Sequence, residues 1–286
     1  MLKTSRRDLI LSAAAAGAAL GLDKSLAMVA PAESQQTPAA PMHSQHKPPA
    51  PVRRAQTPDP RPGFLRYKVG DAEVTALYDG IWEKAHDAKY FGNATIDEVK
   101  HALADAGLTT AFVPIPITVF VIKLNGKLVL CDTGGGNQVQ AFNPKSVFVS
   151  GKMTANMKAA GIDPKAIETI LISHFHPDHI FGLLEKKTNA PVFPNAEIIV
   201  PAAEYKWWTD PSLITRLPEA RRPLALRIQA VIPNWKNVLP VEGEDEVVPG
   251  IYFVKVPGHT PSHTAFLVSS QKALLIMESL FFYDAV

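Results

Sequence analysis

Short apolar runs separated by turn signals begin at about residue 64 and continue to the end of the chain. Residues 66–69 and 73–77 are β-prone and are split by Gly70-Asp71, which predicts a hairpin. Residues 97–106 predict a helix, with Thr95 as its cap and Gly107 as its stop. The plainest hairpin joins 118–124 to 127–131 through Asn125-Gly126. A helix over 152–160 is closed by Gly161, and 166–172 runs apolar into a loop rich in histidine. Further strands are expected at 196–200, 250–256, 264–268 and 272–277, with a helix over 202–208. Strands dominate, with helices spaced between them. That pattern predicts sheets covered by helices, an α/β layered architecture. Two strand-rich halves hint at a β-sandwich core, although no sequence repeat marks them.

The pattern upstream of Phe64 is different. Ser5-Arg6-Arg7-Asp8-Leu9 opens with paired arginines, and an Ala-rich apolar stretch follows to Leu22. That stretch, about 14 residues, is too short for a membrane span. Small residues at Ser25 and Ala27 have the spacing of a cleavage site. Residues 1–27 resemble a twin-arginine export signal, with an ordinary secretory signal as the alternative. The expected location is therefore periplasmic or secreted. Residues 28–63 are dense in Pro, Ala and Gln and read as a flexible linker, which makes His43 and His46 solvated. A single folded domain is expected over 64–286.

Composition narrows the classes. An apolar fraction of 47% against 20% charged is enough to build a sizeable core. A net charge of +2, with no basic stripe, argues against a nucleic-acid partner. The one cysteine, Cys131, cannot form an internal disulfide. Its apolar neighbours make it a small buried side chain rather than a catalytic thiol.

The chemistry concentrates in Ser173-His174-Phe175-His176-Pro177-Asp178-His179. His174 and His176 are two apart and point the same way in an extended segment. Pro177 then turns the chain, which sends Asp178 and His179 to another face. One loop thus offers two imidazoles to one point and a carboxylate with an imidazole to a neighbouring point. These donors suit zinc and similar divalent ions, and four of them suggest two metals.

His-x-His-x-Asp-His after an apolar strand resembles the signature of the metallo-β-lactamase superfamily. Val129-Leu130-Cys131-Asp132-Thr133-Gly134 and Pro257-Gly258-His259-Thr260-Pro261-Ser262-His263-Thr264 resemble two further segments of that family. The opening Val69-Gly70-Asp71 to Gly80 is similar to its methyl parathion hydrolase and acyl-homoserine lactone lactonase branch. The resemblance implies the αβ/βα sandwich of that family and two zinc ions. It implies that His174, His176 and His259 hold the first metal and that Asp178 and His179 belong to the second. Asp132 would orient a ligand imidazole from behind, with a turn-forming Asp as the alternative. Asp178 would orient the nucleophile or protonate the leaving oxygen. His263 is expected to pack near the site, His86 and His101 to be surface residues, and at least one of Trp207 and Trp208 to pack in the core.

Two departures from the family pattern stand out. Glu278-Ser279 occupies the place of a Gly-Asp pair whose Asp bridges the metals, and a later histidine is absent before Val286. The expectation is a fold missing its last elements, with an incomplete second site. The function expected is an exported metal-dependent hydrolase acting on a lactone, ester or phosphotriester. The competing expectation is a catalytically impaired protein that keeps the fold. A glutathione-thioester hydrolase or sulfur dioxygenase fits export poorly, and a nuclease fits the charge poorly. A small-molecule substrate is expected, with no stable membrane span; a homodimer is left open.

Overall fold

The computed structural model describes residues 63–277, apart from 138, 144 and 145. The export signal and most of the linker expected at 1–62 lie outside the described residues, as do Glu278 and Ser279. No helix among the described residues is long and apolar enough to cross a membrane.

Strands β1 (Phe64–Val69) and β2 (Ala72–Lys84) form the first hairpin, with Val69 opposite Ala72. β2 continues well past the expected end at 77. Helix α1 (Ile96–Asp105) opens with a capping box, in which Thr95 accepts from Glu98 N–H and the Glu98 carboxylate accepts from Thr95 N–H. β3 (Val113–Leu124) then pairs along β2, and β4 (Lys127–Cys131) follows through the Asn125-Gly126 turn. β3 begins earlier than the pattern suggested, because Pro114 and Pro116 disguised it. β4 pairs only with Phe120–Leu124, so both prolines lie beyond it, where that edge of β3 has no strand partner among the described residues to need their N–H.

β5 (Val139–Asn143) and β6 (Ser146–Val149) were not expected; β6 pairs with the far half of β2 at Ile81–Glu83. After α2 (Met153–Ala159), three parallel strands complete the larger sheet: β7 (Thr169–Leu171), β8 (Glu197–Pro201) and β9 (Val238–Val241). Its order is β5-β6-β2-β3-β4-β7-β8-β9, with β1 beside β2. The second sheet is antiparallel, in the order β10 (Glu246–Val248), β11 (Ile251–Lys255), β12 (Thr264–Ser270), β13 (Ala273–Met277).

Alternation along the strands builds two cores. On β3 and β4, Ile122, Leu124, Val129 and Cys131 pack with Phe253, Phe266 and Val268 of the second sheet. Val119, Val121 and Leu130 point the other way, into a core shared with the helices. Helices α2, α4 (Ala202–Thr209), α5 (Leu213–Arg216) and α6 (Arg222–Val231) contribute Met157, Trp208, Leu213 and Ile228 to that core. Helices, sheet and sheet thus stack as the layered sandwich expected from the strand pattern. Cys131 is buried and free, as its neighbours indicated.

β7 positions the chemistry. It has only three residues, buried between parallel neighbours β4 and β8. The histidine loop leaves its C-terminal end, which in parallel sheets is where ligands are bound.

Candidate metal centre

Two loops meet at the seam between the sheets. The first follows β7 and carries Ser173 to His176; short helix α3 (Pro177–Ile180) comes next, with His176 as its N-cap and Pro177 in its first turn. The second loop joins β11 to β12 and carries His259 and His263. The two are tied directly by Thr264 N–H donating to Ser173 O, at 3.1 Å. Gly258, at φ +149°, makes the turn that presents His259.

One ring nitrogen from each of His174, His176 and His259 falls within a 4.8 Å group. His174 Nε2 is 3.1 Å from His176 Nδ1, which is 2.9 Å from His259 Nε2. Nitrogens about 2.0–2.1 Å from a tetrahedral zinc stand roughly 3.3 Å apart, so the spacing fits three ligands of one such ion. Protonation also fits. Burial, then the neighbouring histidines, hold His174 well below the ordinary imidazole range. Burial and His259 outweigh Asp178 and pull His176 down to about 3. Both rings are therefore neutral near pH 7, the form that binds metal.

The supporting contacts fix ring orientation. Asp132 takes a left-handed backbone, φ +59°, just after β4. Its Oδ1 accepts from Ser173 N–H at 2.8 Å, and its Oδ2 accepts from Ser173 Oγ–H at 2.8 Å. The same Oδ2 lies 2.7 Å from His179 Nδ1. Ser173 Oγ is in turn 3.0 Å from His174 Nδ1. With Nδ1–H on both rings, Asp132 orients His179 directly and His174 through Ser173, which leaves each Nε2 to face the site.

Asp178 and His179 form a second group beside the first. The His174 and His179 ring centroids are 4.0 Å apart, and His179 Nε2 is 3.4 Å from Asp178 Oδ2. Burial lowers His179, but Asp178 and Asp132 outweigh it and hold the imidazolium up to about 10. Burial raises Asp178, but the charge and hydrogen bond of His179 hold it well below the usual carboxylate range. This ion pair is what a second cation would compete with. Thr133 clamps the pair from behind, since its N–H and Oγ–H both donate to His179 O, at 2.8 and 2.7 Å.

All six residues singled out by sequence therefore converge. His263, expected only to pack nearby, lies against His174 with ring centroids 4.7 Å apart. Its Nε2 is buried without a hydrogen-bond partner among the described residues, and burial pulls the ring down to about 4. His86 bonds Thr110 O and His101 is exposed on α1, both outside the cluster. Trp208 is in the core, its ring 6.4 Å from His176 and forming an apolar wall; half-buried Trp207 stacks under Arg216.

Sequence reasoning passed over Ser173 and two buried carboxylates. Asp79 accepts from Gly135, Met153 and Gly151 N–H and so pins the loop after Asp132; burial pushes its carboxyl up against these donors. Glu204 sits in the first turn of α4 and is fully buried, and burial likewise pushes its carboxyl up against the hydrogen bonds it accepts. The one available signal was a charged residue placed four before a tryptophan, on the buried face of a helix.

Comparison with known proteins agrees with this geometry. The model of the Metallo-beta-lactamase superfamily matches residues 113–276. An N-acyl homoserine lactonase from Bacillus sp is 28% identical over 199 residues, which is 64% of this chain and 71% of the relative. Among solved structures, AidC, a dizinc quorum-quenching lactonase in complex with a product, superposes with a TM-score of 0.64 at 26% identity, covering 75% of this chain and 73% of that one. AbOPH, a hydrolase in the beta lactamase superfamily, gives the same TM-score at 25% identity, covering 75% and 72%. The chain belongs to the metallo-β-lactamase superfamily and resembles the metal-dependent hydrolases within it that open lactones.

Proposed function

We propose that the chain is a metal-dependent hydrolase that opens the ring of an N-acyl homoserine lactone or a closely related lactone. The observation that carries the reading is the convergence of His174, His176 and His259 nitrogens from two loops on one point. These three would hold one divalent ion, and Asp178 with His179 would contribute to a second. Zinc is the ion favoured by the donor set and by the dizinc relative. Such ions, when bound, polarise a carbonyl oxygen and lower the pKa of water towards neutrality.

The chain's own residues do the rest. Asp132 and Ser173 fix the ring orientations before substrate arrives, so no reorganisation is needed at the moment of reaction. Asp178, its side chain 37% exposed, is the carboxylate within reach of the site. It accepts a hydrogen bond from the attacking water and aims it, takes up the proton that water loses on attack, and later passes that proton to the leaving ring oxygen. Trp208 closes one side of the site with apolar surface. Export through the Arg6-Arg7 signal is part of the proposal; replacing both arginines with lysine should leave the protein in the cytoplasmic fraction of cells.

Hydrolysis of N-hexanoyl-homoserine lactone, a nitrophenyl ester, a phosphotriester and a β-lactam, followed by proton release with zinc-loaded protein, tests the reading. The lactone should be the substrate turned over with the highest kcat/KM. Faster turnover of the phosphotriester would move the substrate class. Zinc binding without any turnover would favour the impaired protein.

A further inference from the structure

We infer that Glu204 is a positioning residue that holds the two histidine-bearing loops at the separation metal binding requires. The inference rests on the metal-binding reading of His174, His176 and His259, and deepens it.

Glu204 Oε1 accepts from Phe175 N–H at 3.1 Å and from Trp208 Nε1–H at 2.8 Å. Its Oε2 accepts from Thr260 Oγ–H at 3.0 Å, and the backbone of Ser262 adds a further bond. Phe175 lies between His174 and His176, and Thr260 directly follows His259. One carboxylate on α4 therefore grips both loops, each within one residue of a metal-binding histidine. Trp208, one turn further along α4, anchors the carboxylate to the helix and so to the core.

The chemistry of the partners is specific. Phe175 N–H, Ser262 N–H and the indole N–H can only donate, so the position calls for an acceptor on both oxygens, which an ionised carboxylate provides. A glutamine would turn an N–H towards these donors, and an apolar residue would leave them unsatisfied in the core. The contact most exposed to this loss is the one between loops. His174 and His176 share a loop and stay together, whereas the 2.9 Å approach of His176 to His259 depends on how the loops are held.

The test uses the full chain, stripped by chelation and titrated with cobalt(II), read by affinity and by the d–d absorption of the bound ion. Glu204→Gln should bind cobalt about 10–100-fold more weakly, the range for lost supporting contacts, with an altered absorption band. Thr260→Val removes one of the two bonds Glu204 accepts on the His259 side without changing charge, and should move affinity and spectrum in the same direction by less. Ile228→Val, in the core on α6, should lower Tm yet leave cobalt affinity and spectrum as in the parent. A folded Glu204→Gln protein with parental affinity and spectrum overturns the inference. If that variant does not fold, a Thr260→Val protein with parental affinity and spectrum overturns it instead. A parent chain that takes up no cobalt removes the metal-site reading, and the inference with it.

Discussion

Replacing Asp132 with Asn separates an orienting role from a turn-forming one. The left-handed backbone at φ +59° is tolerated by Asn, so the substitution introduces no new strain. Oδ1 can still accept from Ser173 N–H. The new amide turns its hydrogens towards Ser173 Oγ and His179 Nδ1, which lie 2.8 and 2.7 Å from the original oxygen. The hydroxyl can rotate and accept. His179 then gives up Nδ1–H and keeps its proton on Nε2, the nitrogen beside Asp178 that the second ion would need. A hydrogen bond to a charged group contributes about 1.5–3 kcal/mol. At about 1.4 kcal/mol per decade, affinity for the second ion should fall roughly 10- to 100-fold. Zinc titration against a chromophoric chelator reads this directly. A lower Tm with unchanged affinity for both ions would refute the orienting role and leave Asp132 a turn residue.

Three further outcomes follow from the packing. Gly182→Ala would drive a Cβ into Thr133 O, in the clamp behind His179, and should lose about 1–3 kcal/mol of stability in thermal unfolding; an unchanged Tm would show that the loops simply move apart. Phe175→Ala empties a fully buried position between His174 and His176, against Trp235, and should cost about 3–5 kcal/mol in urea unfolding. Burial, and next Asp132, raise the Cys131 thiol well above its ordinary range, so it should resist a thiol reagent in the native protein and react once the chain unfolds; fast native labelling would contradict its place between the sheets.

The sequence was most readable where structure is local. The Asn125-Gly126 hairpin and the Thr95 cap are set by neighbouring residues, and both are found where the pattern puts them. The far half of β2 and the start of β3 were missed because their alternation is weak and two prolines interrupt it. Only the pairing of β2 with β3 and β6 makes them strands. β5, β6, β9 and β10 are short, and β6 and β9 owe their form to β2 and β8, which are distant in sequence. The candidate site divides the same way. His174, His176, Asp178 and His179 stand within six residues of one another, so spacing alone exposed them. Glu204 reaches partners 29 and 56 residues away, and Ser173 reaches Asp132 across 41; no spacing rule shows such contacts. His263 could be linked to His174 only once the two loops were seen to meet.

The proposed hydrolysis depends on an ion held by His174, His176 and His259. The most direct measurement is the rate of lactone opening as zinc is added back, in known equivalents, to the chelated full chain and to its His176→Ala variant. The parent rate should rise with added zinc and saturate, while the variant stays near background at equivalents that saturate the parent. A parent rate that zinc does not change, or a variant that follows the parent curve, would contradict it.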